Sequence, residues 1–332
     1  MSAVQAASRV RLPLLSAINA RLIILLAALL AAFALLLGDR LFTGVALQSM
    51  AFQMPELGIL SLAMMVTLLS GGLNLSIIST ADLCALTMAW VLTHFVPHTT
   101  GFVWVGWQIA ALLAGLAVAG VIGLVNGVVI AYLGVSPILC TLGTMTLVKG
   151  IAIGLTHGNI ISGFPAPVVF IGNGTVFGVP MALIVFVLVA VPVAIMLNRS
   201  PLGAAIAMIG SNERAVRYSG IDTPRVLVKV YVLSSLLAAI AAVVMMARFN
   251  SANAAYGESY LLVTILAAVL GGVDPMGGFG RVGGVVLALV ILQVISTAFN
   301  LLNFSQFLTL AIWGGILVAV AGVGVVRERL GL

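Results

Sequence analysis

"IAALLAGLAVAGVIGLVNGVVIAY", residues 109–132, runs for 24 positions without a charge and shows no alternation of polar with apolar side chains. A helix of that length reaches about 36 Å at 1.5 Å per residue, enough to cross a hydrocarbon core of ~30 Å. Residues 22–37, 181–197 and 285–302 repeat the pattern over 16 to 18 positions, close to the ~20 residues a span needs. The whole chain is 63% hydrophobic and 7% charged, against roughly 25% charged in a soluble domain, so a soluble globule is excluded. A membrane β-barrel needs segments of ~10 residues that alternate in polarity, and these windows are apolar on every face. The reading is an all-α polytopic membrane protein.

Breaks at Gly, Pro and charge place ten spans near 21–38, 47–70, 77–95, 104–132, 137–156, 181–198, 226–248, 260–271, 284–302 and 305–325. One transmembrane domain then covers residues 1–332, with a tail at 1–20, a polar loop at 198–225 and an uncharged Gly- and Pro-rich loop at 157–180. The first span follows Arg9, Arg11 and Arg21, but its apolar run exceeds a signal peptide's and is read as retained. With the N-terminus inside, Arg9, Arg11, Arg21, Arg199, Arg214, Arg217, Arg225, Lys229, Arg281, Arg327 and Arg329 all fall at the inner face, 11 of the 14 Lys and Arg. Arg40 and Arg248 fall outside and Lys149 falls within a span. That bias sets both termini and the 198–225 loop in the cytoplasm and the 157–180 loop outside.

Two stretches interrupt the spans. In "LLSGGLNLSIIS", residues 68–79, Gly71 and Gly72 stop a helix while Asn74 and Ser76 bring side chains that hydrogen-bond; "STAD", 79–82, then has the pattern of a capping box. In "LGGVDPMGGFGRVGG", residues 270–284, Gly271, Gly272, Gly277 and Gly278 surround Pro275, with Asp274 and Arg281 as a charged pair. Irregular backbone at membrane depth survives only where protein or a water-filled cavity covers it, and broken helices are typical where solutes pass or gates bend. Close helix packing is the plainer reading of such glycines and suits "GLVNG", 123–127.

Other chemistry is sparse. Gly278, Gly280 and Gly283 match G-x-G-x-x-G, yet no strand precedes them and no acid follows at about 20 residues, so no dinucleotide site is expected. There is no P-loop, G-x-x-x-x-G-K-S/T. Cys84 and Cys140 lie in apolar segments without metal or disulfide spacing, and His94, His98 and His157 have no clustered carboxylates, so no metal is expected. Cys84 and His94 are ten residues apart, about 15 Å along a helix, too far for a catalytic dyad. Asp82 reads as a helix cap or a pathway residue, and Lys149 as the partner of Asp82 or Glu56 or as a snorkelling cation. Asn126 and Thr146 are expected to hydrogen-bond between helices.

Four stretches in order carry a resemblance. "SGGLNLS" (70–76) matches S-G-G-I/L-D-L-S, "SPILCTLGTMTLVKG" (136–150) matches P-x-F/I-x-x-T-L-G-T-M-x-x-x-R/K-G, and "MIGSNERAVRYSGI" (208–221) matches x-I/V-G-x-N-x-x-A-x-x-S/L-G-I; "LAAVLGGVDPMGGFGRVGG" (266–284) matches A-x-V-x-G-G-x-x-x-x-G-G-x-G-x-x-x-G. Over residues 50–325 the chain resembles the permease subunits of ATP-binding-cassette importers of the ribose, xylose and galactose type. The resemblance implies a bacterial inner-membrane subunit without enzyme activity or cofactor of its own, since its partners bind ATP. Those partners are two cytoplasmic ATPase subunits, a second permease (identical or a sister) and an external solute-binding protein, with lipid around them and no nucleic acid. It implies further that Gly210, Ser211, Asn212, Glu213, Arg214, Arg217 and Gly220 couple to the ATPase, and that the two breaks border the passage of a sugar-like solute. The chain departs from the pattern at Asn74, where the family has Asp, and at Ile78, where Gly is common. A stand-alone secondary transporter or channel for a small neutral solute is the alternative; it needs intramembrane carboxylates or paired repeats of broken helices, and the first are few and no repeat is evident.

Overall fold

The computed structural model describes residues 17–330, so Arg9 and Arg11 of the tail lie outside the described residues. Each span read from the sequence is a helix within a few residues of the expected ends. In chain order they are α1 (Ala17–Leu37), α2 (Gly44–Leu69), α3 (Ile77–His94), α4 (Gly101–Leu133) and α5 (Pro137–Thr156), then α6 (Ala166–Asn173), α7 (Met181–Arg199), α8 (Pro201–Tyr218), α9 (Thr223–Phe249), α10 (Tyr260–Leu270), α11 (Val282–Leu301) and α12 (Gln306–Leu330). The two additions are α6, inside the 157–180 loop, and α8, which fills most of the 198–225 loop. Two short 3-10 turns, Gly38–Phe42 and Val96–His98, and four two-residue strands complete the regular structure of the described residues: β1 (Ile161–Ser162) pairs antiparallel with β4 (Ser251–Ala252), and β2 (Thr175–Val176) with β3 (Val179–Pro180).

Among the described residues eight helices are long and apolar enough to cross a membrane, while α10 and the stretch Phe307–Ala319 of α12 are shorter. With 11 residues, α10 rises about 16 Å, half of a hydrocarbon core. It is a half-span.

The core forms where α2 and α9 lie side by side. From Pro55 to Leu69 every residue of α2 is buried, and α9 is covered by α2, α3 and α4. Glycine allows the α4–α9 approach: a methyl on Gly123 would lie 2.7 Å from Val232 Cα, and one on Gly127 2.8 Å from Val228 Cα. Lipid tails are as apolar as leucine, so such close backbone packing, rather than exclusion from water, holds membrane helices together.

Local chemistry sets the boundaries at the α8 end of the bundle. The Ser200 hydroxyl accepts the Gly203 N–H at 3.1 Å ahead of Pro201, the Asp222 carboxylate accepts the Arg225 N–H at 3.1 Å ahead of Pro224, and Gly134 ends α4 in the left-handed region.

Candidate functional site

The first break starts as a helix C-cap. Gly71 takes φ +80°, and the Gly71 and Gly72 N–H groups bond back to the Leu68 and Thr67 carbonyls at 2.9 and 3.1 Å. Gly72 has no room for a side chain, because a methyl there would lie 2.3 Å from the Tyr231 hydroxyl. Beyond it the chain turns into a buried polar knot. Asn74 Nδ2 donates to Ser234 Oγ at 3.0 Å, and Ser234 donates to the Ala63 carbonyl at 2.9 Å. Asn74 Oδ1 accepts from the Ser76 N–H at 3.2 Å and its hydroxyl at 2.7 Å. Ser76 Oγ in turn accepts from Asn126 Nδ2 at 2.9 Å, and Asn126 Oδ1 accepts from Thr144 at 2.6 Å. Thr141 receives the Leu75 N–H at 3.1 Å, and its one proton lies between the Pro137 carbonyl of α5 at 2.8 Å and the Leu73 carbonyl at 3.1 Å. Thr141 of α5 and the Asn74 side chain thus serve the irregular backbone, while Asn126 of α4 and Ser234 of α9 hold the Ser76 and Asn74 side chains in place. With Ser234 donating to Ala63, Asn74 meets it as a donor, a role its amide fills and a carboxylate would replace only if the serine proton turned towards it.

Two readings of this region are corrected. Ser79–Asp82 is not a capping box: α3 already begins at Ile77, and Ser79 donates to the Ser76 carbonyl at 3.1 Å. Asn126 does bond between helices, but Thr146 donates to the Leu142 carbonyl of its own helix at 3.0 Å.

The second break meets the first. Between α10 and α11, Gly272, Gly277 and Gly278 all adopt positive φ, and the Gly278 N–H donates to the Leu69 carbonyl at 2.9 Å. A methyl on Gly277 would lie 2.7 Å from Gly71 Cα and 2.9 Å from Gly210 Cα; one on Gly210 would lie 2.1 Å from the Leu69 carbonyl oxygen. Gly71, Gly210 and Gly277 therefore bring three backbones into direct contact, one from each break and one from α8. Gly271 makes a similar crossing, where a methyl would sit 2.6 Å from Val285 Cα of α11. The charged pair anticipated in this loop does not form among the described residues, since Asp274 turns back to accept the Met276 N–H at 2.8 Å.

Helix α8 kinks at Asn212, whose φ of −162° and ψ of 93° are not helical. Its side chain accepts the Ala215 N–H at 3.0 Å and so caps a second short helical segment that ends before Gly220, at φ +81°. Ser211, Asn212, Glu213, Arg214, Arg217 and Gly220 are exposed, and Gly210 is half-buried beneath them. Glu213 and Arg217 pair along the segment at 3.5 Å, leaving Arg214 free to project.

A third cluster, missed from the sequence, holds the entry to α10. Both Asp82 oxygens accept the Gly257 N–H, at 3.1 and 3.3 Å. Lys149 pairs with Glu258, in place of the expected Asp82 or Glu56. Glu56, 1% exposed, takes Arg248 at 2.5 Å and the Tyr260 hydroxyl on one oxygen. Carboxylates thus stand beside the start of the half-helix α10, where they complement its dipole. The signal in the sequence was the presence of five charges, Glu56, Asp82, Lys149, Arg248 and Glu258, in or beside apolar runs; their pairing depends on helices far apart in the chain.

The family model for the "Branched-chain amino acid transport system / permease component" matches residues 46–321. The chain belongs to this permease family. It is 31% identical over 270 residues, 80% of this chain and 78% of the relative, to the autoinducer 2 import system permease protein LsrD of Yersinia pseudotuberculosis serotype O:3 (strain YPIII). Identity and coverage are the same for LsrD of Yersinia pestis (strain Pestoides F). No solved structure matches. The chain is accordingly the multi-pass inner-membrane permease subunit of an ATP-binding-cassette importer for a sugar-like solute, a transport component of that system.

Proposed function

We propose that α8 is the coupling element on which two cytoplasmic ATPase subunits act, and that the two breaks carry its movement into the bundle. The permease works beside a second copy or a sister permease, takes solute from an external binding protein and releases it in the cytoplasm. ATP is bound by the partners. The observation that carries this reading is the contact of Gly71, Gly210 and Gly277: a displacement of α8 must displace both breaks, because backbone meets backbone without flexible side chains between. The exposed face with Arg214 and Arg217, beside the kink at Asn212, gives a partner groove something to grip.

In this reading Gly71, Gly72, Gly271, Gly272, Gly277 and Gly278 are hinge and contact points, and Asn74 and Ser76 hold the shape of the first break. The buried carboxylates are engaged in structural pairing, which leaves a passage with few charges, suited to a neutral solute. The relatives' names specify autoinducer 2 import; we extend to this chain the class of small hydroxyl-rich solutes. Reversing both charges, Arg214→Glu with Arg217→Glu, lies on an exposed face and is expected to leave insertion intact while abolishing ATP-dependent uptake in vesicles. Unchanged uptake contradicts the assignment of α8.

A further inference from the structure

We infer that a cavity lined by α2, α9, α10, α11 and α12 is a solute vestibule that this chain forms by itself, and that it takes a neutral, hydroxyl-rich molecule. The inference rests on the sugar-importer reading and adds a site to it. The cavity has a volume of about 390 Å³, within the ~300–1,000 Å³ of small-molecule sites. Its walls include Gln53, Glu56, Arg248, Tyr260, Gln293 and Trp313. Its wall residues come from α2, the end of α9, the starts of α10 and α12 and the second half of α11.

Three features select the ligand. Glu56 uses only one oxygen: Oε1 takes Arg248 and Tyr260, while Oε2 is buried with no hydrogen-bond partner. Its burial keeps Oε2 out of a ligand's reach, so the carboxamides, the charge balance and Trp313 do the selecting. Gln293 Nε2 makes only long bonds, 3.4 Å to Gln53 Oε1 and 3.5 Å to Thr297 Oγ1, so two carboxamides stand ready to exchange weak mutual contacts for a ligand's hydroxyls. Charge selects as well. The charged wall residues, Glu56 and Arg248, neutralise each other at 2.5 Å, so neither an anion nor a cation gains a counter-charge. Trp313 adds a flat apolar face against which the C–H side of a sugar ring packs. Contacts of this kind recognise hydroxyls as a class, and weak binding suits a solute that must move on.

The test uses the assembled importer in right-side-out vesicles, in a background of Cys84→Ala and Cys140→Ser that retains uptake. A single cysteine, Thr309→Cys, on the cavity wall is reacted with a membrane-impermeant methanethiosulfonate carrying a trimethylammonium group. Labelling from outside is expected, slowed about threefold or more by saturating D-ribose, D-xylose or D-galactose and unaffected by D-gluconate or choline. Adding Gln293→Leu is expected to keep the labelling rate and remove the protection. Absence of labelling overturns the inference, and so does labelling that no sugar slows, which marks a cavity holding water only. Failure here with an ATPase still bound to the complex refutes the vestibule alone; failure to find an ATPase refutes the importer reading beneath it.

Discussion

Glu56 and Lys149 are both charges within apolar helices, and their surroundings set very different costs for losing a partner. Glu56 is 1% exposed and its Arg248 side chain 21% exposed. Removing one member of such a buried pair leaves the other without compensation, at about 3–5 kcal/mol. Lys149 and Glu258 are 39% and 51% exposed, so either can turn outward along its own stem, and open pairs contribute below about 1 kcal/mol. Glu56→Gln is therefore expected to lower the thermal midpoint of the detergent-solubilised protein by several degrees, and Lys149→Gln to change it little. Equal losses would show that the second pair is just as shielded in the assembly. Asp82 shows why such roles escape a reading of the sequence: its spacing after Ser79 fits a local cap, whereas its bond goes to Gly257, on a loop that only the folded bundle brings near.

Whole elements were far more legible. A segment that crosses lipid must be apolar all round for most of its length and satisfy its own backbone, so composition in a window reveals it, and all ten expected spans appear as helices. Loops gave less away. The helix α6 is short, and the β1–β4 pair joins residues some 90 positions apart, so neither leaves a periodic signal. The breaks were visible as glycine clusters, but not their meeting, because glycine carries no side chain whose chemistry names its neighbour. That meeting is testable at the level of elements. In Gly210→Ala the new methyl would stand 2.1 Å from the Leu69 carbonyl oxygen, backbone that cannot rotate away, whereas at Gly106 of α4 it meets nothing within 4 Å. Gly210→Ala is expected to lose ATP-dependent uptake at equal membrane content, and Gly106→Ala to retain it, with a gain in helix propensity of up to about 1 kcal/mol. Similar uptake in both would mean that α8 does not bear on the breaks.

At the scale of the molecule, the arrangement separates three jobs along one bundle. The α8 end presents an exposed kinked helix, the centre holds α2 and α9 with the polar knot around Asn74, and the far end anchors α10 through its carboxylates and opens into the Glu56 cavity. Nothing in this division supplies energy, and the account holds that a separate motor acts through α8. The most direct measurement is solute accumulation in liposomes that contain the purified chain alone or together with the ATPase subunits isolated with it. The account predicts uphill accumulation only when the ATPases and ATP are both present; concentrative uptake by the chain alone, driven by a proton or sodium gradient, would contradict it.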